Sequence, residues 1–223
     1  MINNEVTKVF QLVIFLFLVT FIAIGCGSSG GGGGGGDDDD DQSLTITGES
    51  GNQVNLNGDW DSGCIQMDVG ESERWVTTIS GSTFSQSEDE WFDSETCNGT
   101  SDITVVISGT FVLGNEVTVE LNALDVTATE MDLVIISFKG TINNQDVVDD
   151  FNASEECGFD DWVVDTPREL FGEACSPDAN DKEVLYIDDT AAPDVLYRGD
   201  EDGPDDANGY PTELEPDTSQ ERL

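Results

Sequence analysis

The sequence has no histidine and few basic residues, and both absences limit what the protein can do. Its 223 residues include 7 Lys and Arg against 48 Asp and Glu, giving a formal net charge of −41. Without histidine, a Ser-His-Asp triad, a Cys-His pair and a histidine-bound metal site are excluded. A surface this negative repels phosphate backbones, so nucleic-acid binding is excluded too.

Signs of catalysis are equally scarce. The P-loop pattern is absent. A carboxylate-pair hydrolase is the enzyme class that the composition leaves open, but 48 acidic residues supply such pairs by abundance alone. We therefore predict a protein that is not an enzyme and that uses no cofactor.

Residues 1–25 have the features of a signal peptide. The segment Leu12–Ile24 is almost wholly apolar and follows a short polar start that contains Lys8. This is the length of a secretory apolar region and is short of the roughly 20 residues of a membrane span. The segment ends in Ala23-Ile24-Gly25-Cys26, which resembles the lipobox of bacterial lipoproteins. An ordinary signal peptide and an uncleaved short anchor are the alternatives.

The resemblance to the lipobox implies cleavage before Cys26 and attachment of a diacylglycerol to its thiol. One acyl chain binds a membrane marginally, whereas two or more bind it stably. We therefore expect the protein to be attached to a membrane by a lipid anchor at Cys26. Gly27 follows this cysteine, and by analogy with lipoprotein sorting it favours the outer membrane of a bacterial envelope, facing the periplasm or the surface.

Residues 26–42 are expected to form a tether without regular structure. Glycine and serine make a flexible chain, and the five consecutive aspartates Asp37–Asp41 repel one another and extend it. Residues 43–199 are expected to form a folded domain. Residues 200–223 are polar and acidic, and we expect a mostly disordered tail there.

Four further cysteines lie in the expected domain. An even number in an exported protein implies two disulfides, and four cysteines allow three connectivities. We predict the pairing between neighbours in the sequence, because it requires no crossing of elements. The pattern has no C-x-x-C and there is no histidine, and both absences argue against metal binding by these thiols. The predicted disulfides are Cys64–Cys97 and Cys157–Cys175.

Short segments rich in Val, Ile, Thr and aromatic residues recur with a period of two. In the segment Glu116–Leu121, Val117, Val119 and Leu121 fall on one face and the polar residues on the other. This alternation is typical of a half-buried antiparallel strand. A hairpin turn is predicted at Gly114-Asn115. The sequence therefore predicts one all-β domain, a single antiparallel up-and-down barrel or meander, with a β-sandwich as the alternative.

The segment Gly58-Asp59-Trp60 resembles the Gly-x-Trp motif of lipocalins. The resemblance implies that Trp60 closes the base of a barrel and that an arginine on the last strand stacks over it. Arg198 is the matching position, so Trp60 and Arg198 are the predicted barrel-closing pair. The second lipocalin motif, Thr-Asp-Tyr, is absent. A tryptophan buried in an ordinary core is the alternative for Trp60.

The leading functional hypothesis is a non-enzymatic envelope lipoprotein that binds a small apolar ligand or lipid in its barrel. The alternative is a structural or interaction lipoprotein with a filled core, binding protein, glycan or Ca²⁺ through its acidic surface. Paired acids such as Asp160-Asp161 and Asp188-Asp189 recur, but none follows the D-x-[DN]-x-[DN]-G calcium loop. We therefore predict no specific metal site, and the sequence indicates no particular protein partner.

Overall fold

A computed structural model describes residues 44–200 and 203–223. The predicted signal peptide, the lipidation site Cys26 and the tether lie outside these residues. In the described part of the chain, no helix is long and apolar enough to cross a membrane. The strands are β1 (Thr45–Thr47), β2 (Gln53–Asn55), β3 (Gly58–Asp61), β4 (Ile65–Asp68), β5 (Glu71–Ser80), β6 (Thr83–Trp91), β7 (Ile103–Leu121), β8 (Leu124–Ile142), β9 (Arg168–Glu169), β10 (Asn180–Asp188), β11 (Val195–Gly199) and β12 (Leu214–Arg222).

Eight strands form an antiparallel meander whose hydrogen bonds close into a ring. The order is β3-β5-β6-β7-β8-β10-β11-β12, and β12 returns to pair with β3. Strand β4 pairs with β5, β9 pairs with β8, and β1 and β2 form a separate hairpin. The predicted all-β antiparallel meander is thus confirmed.

The ring closes through a short contact. Strand β12 pairs with β3 only at Glu221–Asp61 and Arg222–Trp60. Strand β12 pairs with β11 in two stretches, and a bulge in β12 separates them. The bulge contains Pro216, which has no N–H to donate and therefore suits a position without backbone pairing. The part of β12 that precedes Glu221 does not pair with β3. We call the gap that it leaves between β12 and strands β3 and β5 the seam.

Residues 200–223 differ from the predicted disordered tail. Strand β12 occupies most of their second half and completes the ring. Its sequence, Leu-Glu-Pro-Asp-Thr-Ser-Gln-Glu-Arg, has almost no apolar residues and so gave no strand pattern. A strand is held in a sheet by its backbone hydrogen bonds, and these do not require apolar side chains.

An apolar core fills the ring around Trp60. This tryptophan has no solvent exposure, and it clusters with Ile79 of β5, Phe111 of β7 and Leu196 of β11. The β1–β2 hairpin packs against the same cluster. This part of the ring is therefore closed by side chains, as in small barrels whose interior is filled.

Strands β7 and β8 form a long hairpin whose turn lies at Asn122-Ala123, where both residues have positive φ. The turn predicted at Gly114-Asn115 is wrong. Those two residues form a bulge opposite β8, where the Asn115 amide donates to Glu130 at 3.3 Å. The alternation that follows Asn115 continues the same strand.

The segment between β8 and β9 packs on the β7–β8 hairpin. It contains helix α1 (Gln145–Ser154) and a 3-10 helix (Glu156–Gly158). The side chain of Asn144 caps α1 by accepting from the Asp146 N–H at 2.9 Å. Trp162 and Cys157 of this segment, together with Cys175 after β9, join α1 in a second apolar cluster.

Candidate functional site

A cavity of about 590 Å³ opens between strands β5 and β6 on one side and β11 and β12 on the other. Strand β4 and the β12 residues along the seam form its rim. We call it the acidic pocket. Its lining includes Glu73, Trp75, Gln86, Glu88 and Arg198.

The alternation of β5 and β6 turns these side chains inward. Ile79 of β5 packs in the Trp60 core, and Glu73 and Trp75 lie an even number of residues away, so they share its face. On β6, Gln86 and Glu88 share the inward face in the same way. Cross-strand pairing places Trp75 opposite Glu88. Side chains paired in this way are direct neighbours.

Several polar atoms at the pocket have no hydrogen-bond partner among the described residues. Glu73 and Glu88 are 3 % and 4 % exposed, and one carboxyl oxygen of each is unpaired. The indole N–H of Trp75 lies close enough to both carboxyls to lower their pKa values, although no well-formed hydrogen bond joins it to either. Buried polar atoms are normally paired, because each unpaired one costs about 1–3 kcal/mol. Such a cluster at a cavity indicates a place where another molecule supplies the missing partners.

Glu90 extends the acidic cluster beyond the cavity wall. It pairs across the strands with Glu73, and neither of its carboxyl oxygens has a partner within residues 44–200 or 203–223. Its other neighbour in the sheet is the buried Ile103 of β7. An apolar strand thus lies on one side of the acids, and this deprives them of water.

The pKa values of the three carboxyls are raised. Burial raises the pKa of Glu73 to about 7 and that of Glu90 to about 8. Burial also raises the pKa of Glu88 well above its usual range, and the charges of Glu90 and Glu73 raise it further. The three groups therefore hold protons at a pH where ordinary glutamates are ionised.

Arg198 is held at one wall of the pocket by groups that satisfy it. Its guanidinium forms an ion pair with Glu183 at 2.8 Å. It also donates to the side-chain amide oxygen of Gln86 at 2.6 Å. The second carboxyl oxygen of Glu183 accepts from the backbone N–H groups of Val184 and Gly199, at 2.9 and 2.7 Å. Arg198 therefore ties β11 to β6 across the ring, and its charge is matched by Glu183.

The predicted pairing of Trp60 with Arg198 is wrong, because Arg222 takes that place. The guanidinium carbon of Arg222 lies 4.3 Å from the centroid of the Trp60 ring. Arg222 is on β12, the last strand of the ring, whereas Arg198 is on β11. The wrong arginine was predicted because residues 200–223 were expected to be disordered, which left β11 as the last strand of the domain.

The structure joins Cys64 to Cys97 and Cys157 to Cys175, the pairing predicted from the sequence. The first disulfide lies at the pocket rim. Cys64 immediately precedes β4, and the sulfur of Cys97 lies 3.2 Å from the backbone carbonyl oxygen of Glu73. The second disulfide lies in the cluster around α1, away from the pocket lining.

Sequence reasoning missed Glu73, Glu88 and Glu90 as site residues. In an alternating strand pattern, acidic residues are assigned to the solvent face. With 48 acidic residues in the chain, the sequence does not distinguish a buried acid from an exposed one. A usable signal was present in two neighbouring strands, Glu71–Ser80 and Thr83–Trp91. Each combines acids and large apolar residues at its inward positions, which is unusual for a strand facing a core.

No family model matches this chain, and no curated protein shows significant similarity to it. Among the described residues, no group of three or more acidic or cysteine side chains has an arrangement that could hold a metal ion.

Proposed function

We propose that this protein is a lipid-anchored, non-enzymatic binding protein of the bacterial envelope that holds a small molecule in the acidic pocket. The observation that carries the proposal is a cavity of about 590 Å³ with unpaired, buried polar groups in its wall. Ligand pockets usually measure about 300–1,000 Å³ and combine an apolar lining with a few placed polar groups. The acidic pocket has both features.

The strand order supports a lipocalin-like form of this proposal. A tryptophan on the first strand of the ring and an arginine stacked over it from the last strand are what that resemblance implies. Trp60 and Arg222 fill these roles. Side chains fill the Trp60 end of the ring, and the space for a ligand lies at the other end.

The alternative, an interaction lipoprotein with a filled core that binds protein, glycan or Ca²⁺ through its acidic surface, has less support. The core is filled in the part of the ring around Trp60, but the acidic pocket is open, and this alternative gives the pocket no role. The two proposals differ in whether a small molecule enters the ring.

Anchoring is tested by intact-mass spectrometry of the protein purified from its own membrane. Lipidation would add the mass of a diacylglycerol, and usually of a further acyl chain, at Cys26, and the Cys26→Ala variant would lose that mass and leave the membrane fraction. A wild-type protein with an unmodified thiol at Cys26 would refute the anchor.

Binding is tested on the same preparation by native mass spectrometry. A ligand would appear as extra mass that is lost on denaturation. Thr218→Trp places a large side chain at the seam and is expected to exclude the ligand, whereas Thr118→Trp on the exposed face of β7 should leave it bound. Equal occupancy in both variants would place the ligand elsewhere and refute the pocket.

A further inference from the structure

We propose that the acidic pocket selects an organic cation, with an ammonium or guanidinium head between Glu73 and Glu88 and an apolar body against Trp75 and Met67. This inference rests on the proposed binding function and specifies its ligand class. It is carried by the cavity, by the unpaired buried acceptors in its wall and by the charges around it.

The charge of the lining is one-sided. Arg198 is the cation among the described lining residues, and Glu183 matches it at 2.8 Å. Glu73 and Glu88 lie at the inner wall, and Glu215 and Asp217 line the seam. The lining therefore offers carboxyls that no cation of the pocket matches, and an entering anion would be repelled by Glu215 and Asp217 at the seam.

The unpaired acceptors match the donors of a cationic head group. An ammonium group has three donors and no acceptor, and a guanidinium has five donors and no acceptor. One oxygen of Glu73 and one of Glu88 make no well-formed hydrogen bond in the described part of the chain, although the two carboxyls and the Trp75 N–H influence one another. Hydrogen bonds between two charged groups are about twice as strong as neutral ones.

The size and the apolar lining favour an organic cation over a metal ion. A cavity of about 590 Å³ is far larger than a bare ion needs, and Ile65, Met67 and Trp75 add apolar and aromatic surface. Indole rings attract cations as well. A purely apolar ligand would instead cover the carboxyls of Glu73 and Glu88 and leave them unpaired, which is costly.

Binding is expected to release protons. In the empty pocket the raised pKa values of Glu73 and Glu88 keep these carboxyls largely protonated near neutral pH. A cation favours the ionised form, so affinity should increase as the pH rises from about 6 to about 9. Glu73 and Glu88 act on each other, and Glu90 on β6 raises the pKa of Glu88. The other charged groups around them are Glu71 on β5 and Asp102 before β7, which act on Glu90, and the lining residues Arg198, Asp200, Glu215 and Asp217.

The test compares three probes of similar size on the full-length, detergent-solubilised protein. They are 2-phenylethylamine as the cation, 2-phenylethanol as the neutral analogue and phenylacetate as the anion, with CaCl₂ as the metal probe. Isothermal titration calorimetry in two buffers of different ionisation enthalpy gives the Kd and the number of protons released. Because the chain has four tryptophans, quenching of fluorescence that the Trp75→Phe variant abolishes reports contact with Trp75.

The variants are Glu73→Gln and Glu88→Gln, which keep the shape of each side chain and remove its charge. Glu120→Gln, on an exposed position of β7, is the matched control. The expected result is at least about tenfold tighter binding of the amine than of the alcohol, a loss of at least about tenfold in either pocket variant, and no change in the control. Proton release should fall in the pocket variants, and circular dichroism checks that they are folded.

Three outcomes would overturn the inference. Equal binding of the amine and the alcohol, with no effect of the variants, would show an apolar ligand site and leave the proposed binding function standing. Competition by millimolar CaCl₂ that both pocket variants abolish would show a cation site for metal. If no probe of any charge quenches Trp75 or gives heat, the pocket is closed, and the proposed function fails together with the inference.

Discussion

The guanidinium of Arg222 stacks on the indole of Trp60, 4.3 Å from the ring centroid, and so joins the last strand of the ring to the first. Arg222 also forms an ion pair with Asp194 at 3.2 Å and donates to the backbone carbonyls of Asn55 and Asn57. The Trp60 indole in turn donates to the carbonyl of Leu56 at 3.0 Å. The side chain of Arg222 thus reinforces the short backbone pairing that closes the ring.

Replacing Arg222 with alanine is expected to destabilise the domain. The cation–π contact is worth up to about 2 kcal/mol when desolvated, and loss of the other contacts brings the expected cost to roughly 2–3 kcal/mol. Urea denaturation followed by tryptophan fluorescence measures it. Lys139→Ala removes an exposed cation from β8 and should cost under about 0.5 kcal/mol. An Arg222→Ala protein as stable as this control would contradict the assigned role.

The buried acids should make the domain more stable in mild acid than in mild base. The folded pKa values of Glu73 and Glu90 lie above the unfolded value of 4.5, so the folded state binds more protons between these values. Their contribution to the free energy of unfolding is complete below about pH 4.5 and is lost as the pH rises through 7 and 8.

Glu88→Gln tests this dependence directly. The amide cannot ionise, so the variant should gain about 1–3 kcal/mol over the wild type at pH 9 and show little difference at pH 5. Thermal unfolding at the two pH values measures it, with Glu120→Gln as the control. A gain of equal size at both pH values would show that packing, and not ionisation, is responsible.

Removing the disulfide Cys64–Cys97 is expected to affect both stability and the pocket. The double change Cys64→Ser and Cys97→Ser opens a loop with a sequence separation of 33 and should lower the free energy of unfolding by about 3–4 kcal/mol. Because Cys97 contacts the backbone of Glu73, amine binding should weaken as well. Cys157→Ser with Cys175→Ser is the matched control, expected to lose stability while the folded fraction keeps its affinity.

The buried pair of Arg198 and Glu183 should tolerate joint replacement better than single replacement. Arg198→Met alone leaves the Glu183 carboxyl buried without its cation, at a cost of about 3–5 kcal/mol. The double variant Arg198→Met with Glu183→Gln is expected to recover at least half of this loss. Denaturant unfolding of all four proteins of the cycle measures the coupling, and strictly additive costs would contradict it.

The sequence was sufficient for the features that follow from local pattern. The alternation in Glu116–Leu121 predicted a strand that lies within β7. An even set of cysteines indicated two disulfides, and pairing neighbours in the sequence predicted the two that the structure contains. Gly58-x-Trp60 directed attention to a residue that is fully buried at the ring closure. In each case the chemistry of a few neighbouring residues determines the outcome.

The features that sequence reasoning missed depend on contacts between distant residues. Strand β12 carries no apolar alternation, because its place is set by backbone pairing with β11 and by Arg222. Glu73 and Glu88 face inward only because their strands share a register that also buries Ile79. An acid that faces a cavity and an acid that faces solvent look the same in the sequence.

The short contact between β12 and β3 would also set an order of folding events if the chain is exported as proposed. The bond from Arg222 to the Asn57 carbonyl joins residues that are 165 positions apart. A polypeptide that is threaded through a translocation channel from its N-terminal side cannot make this contact until Arg222 has emerged. Closing so large a loop is slow, and under the proposed export and ligand binding, binding would begin only after translocation has passed this point.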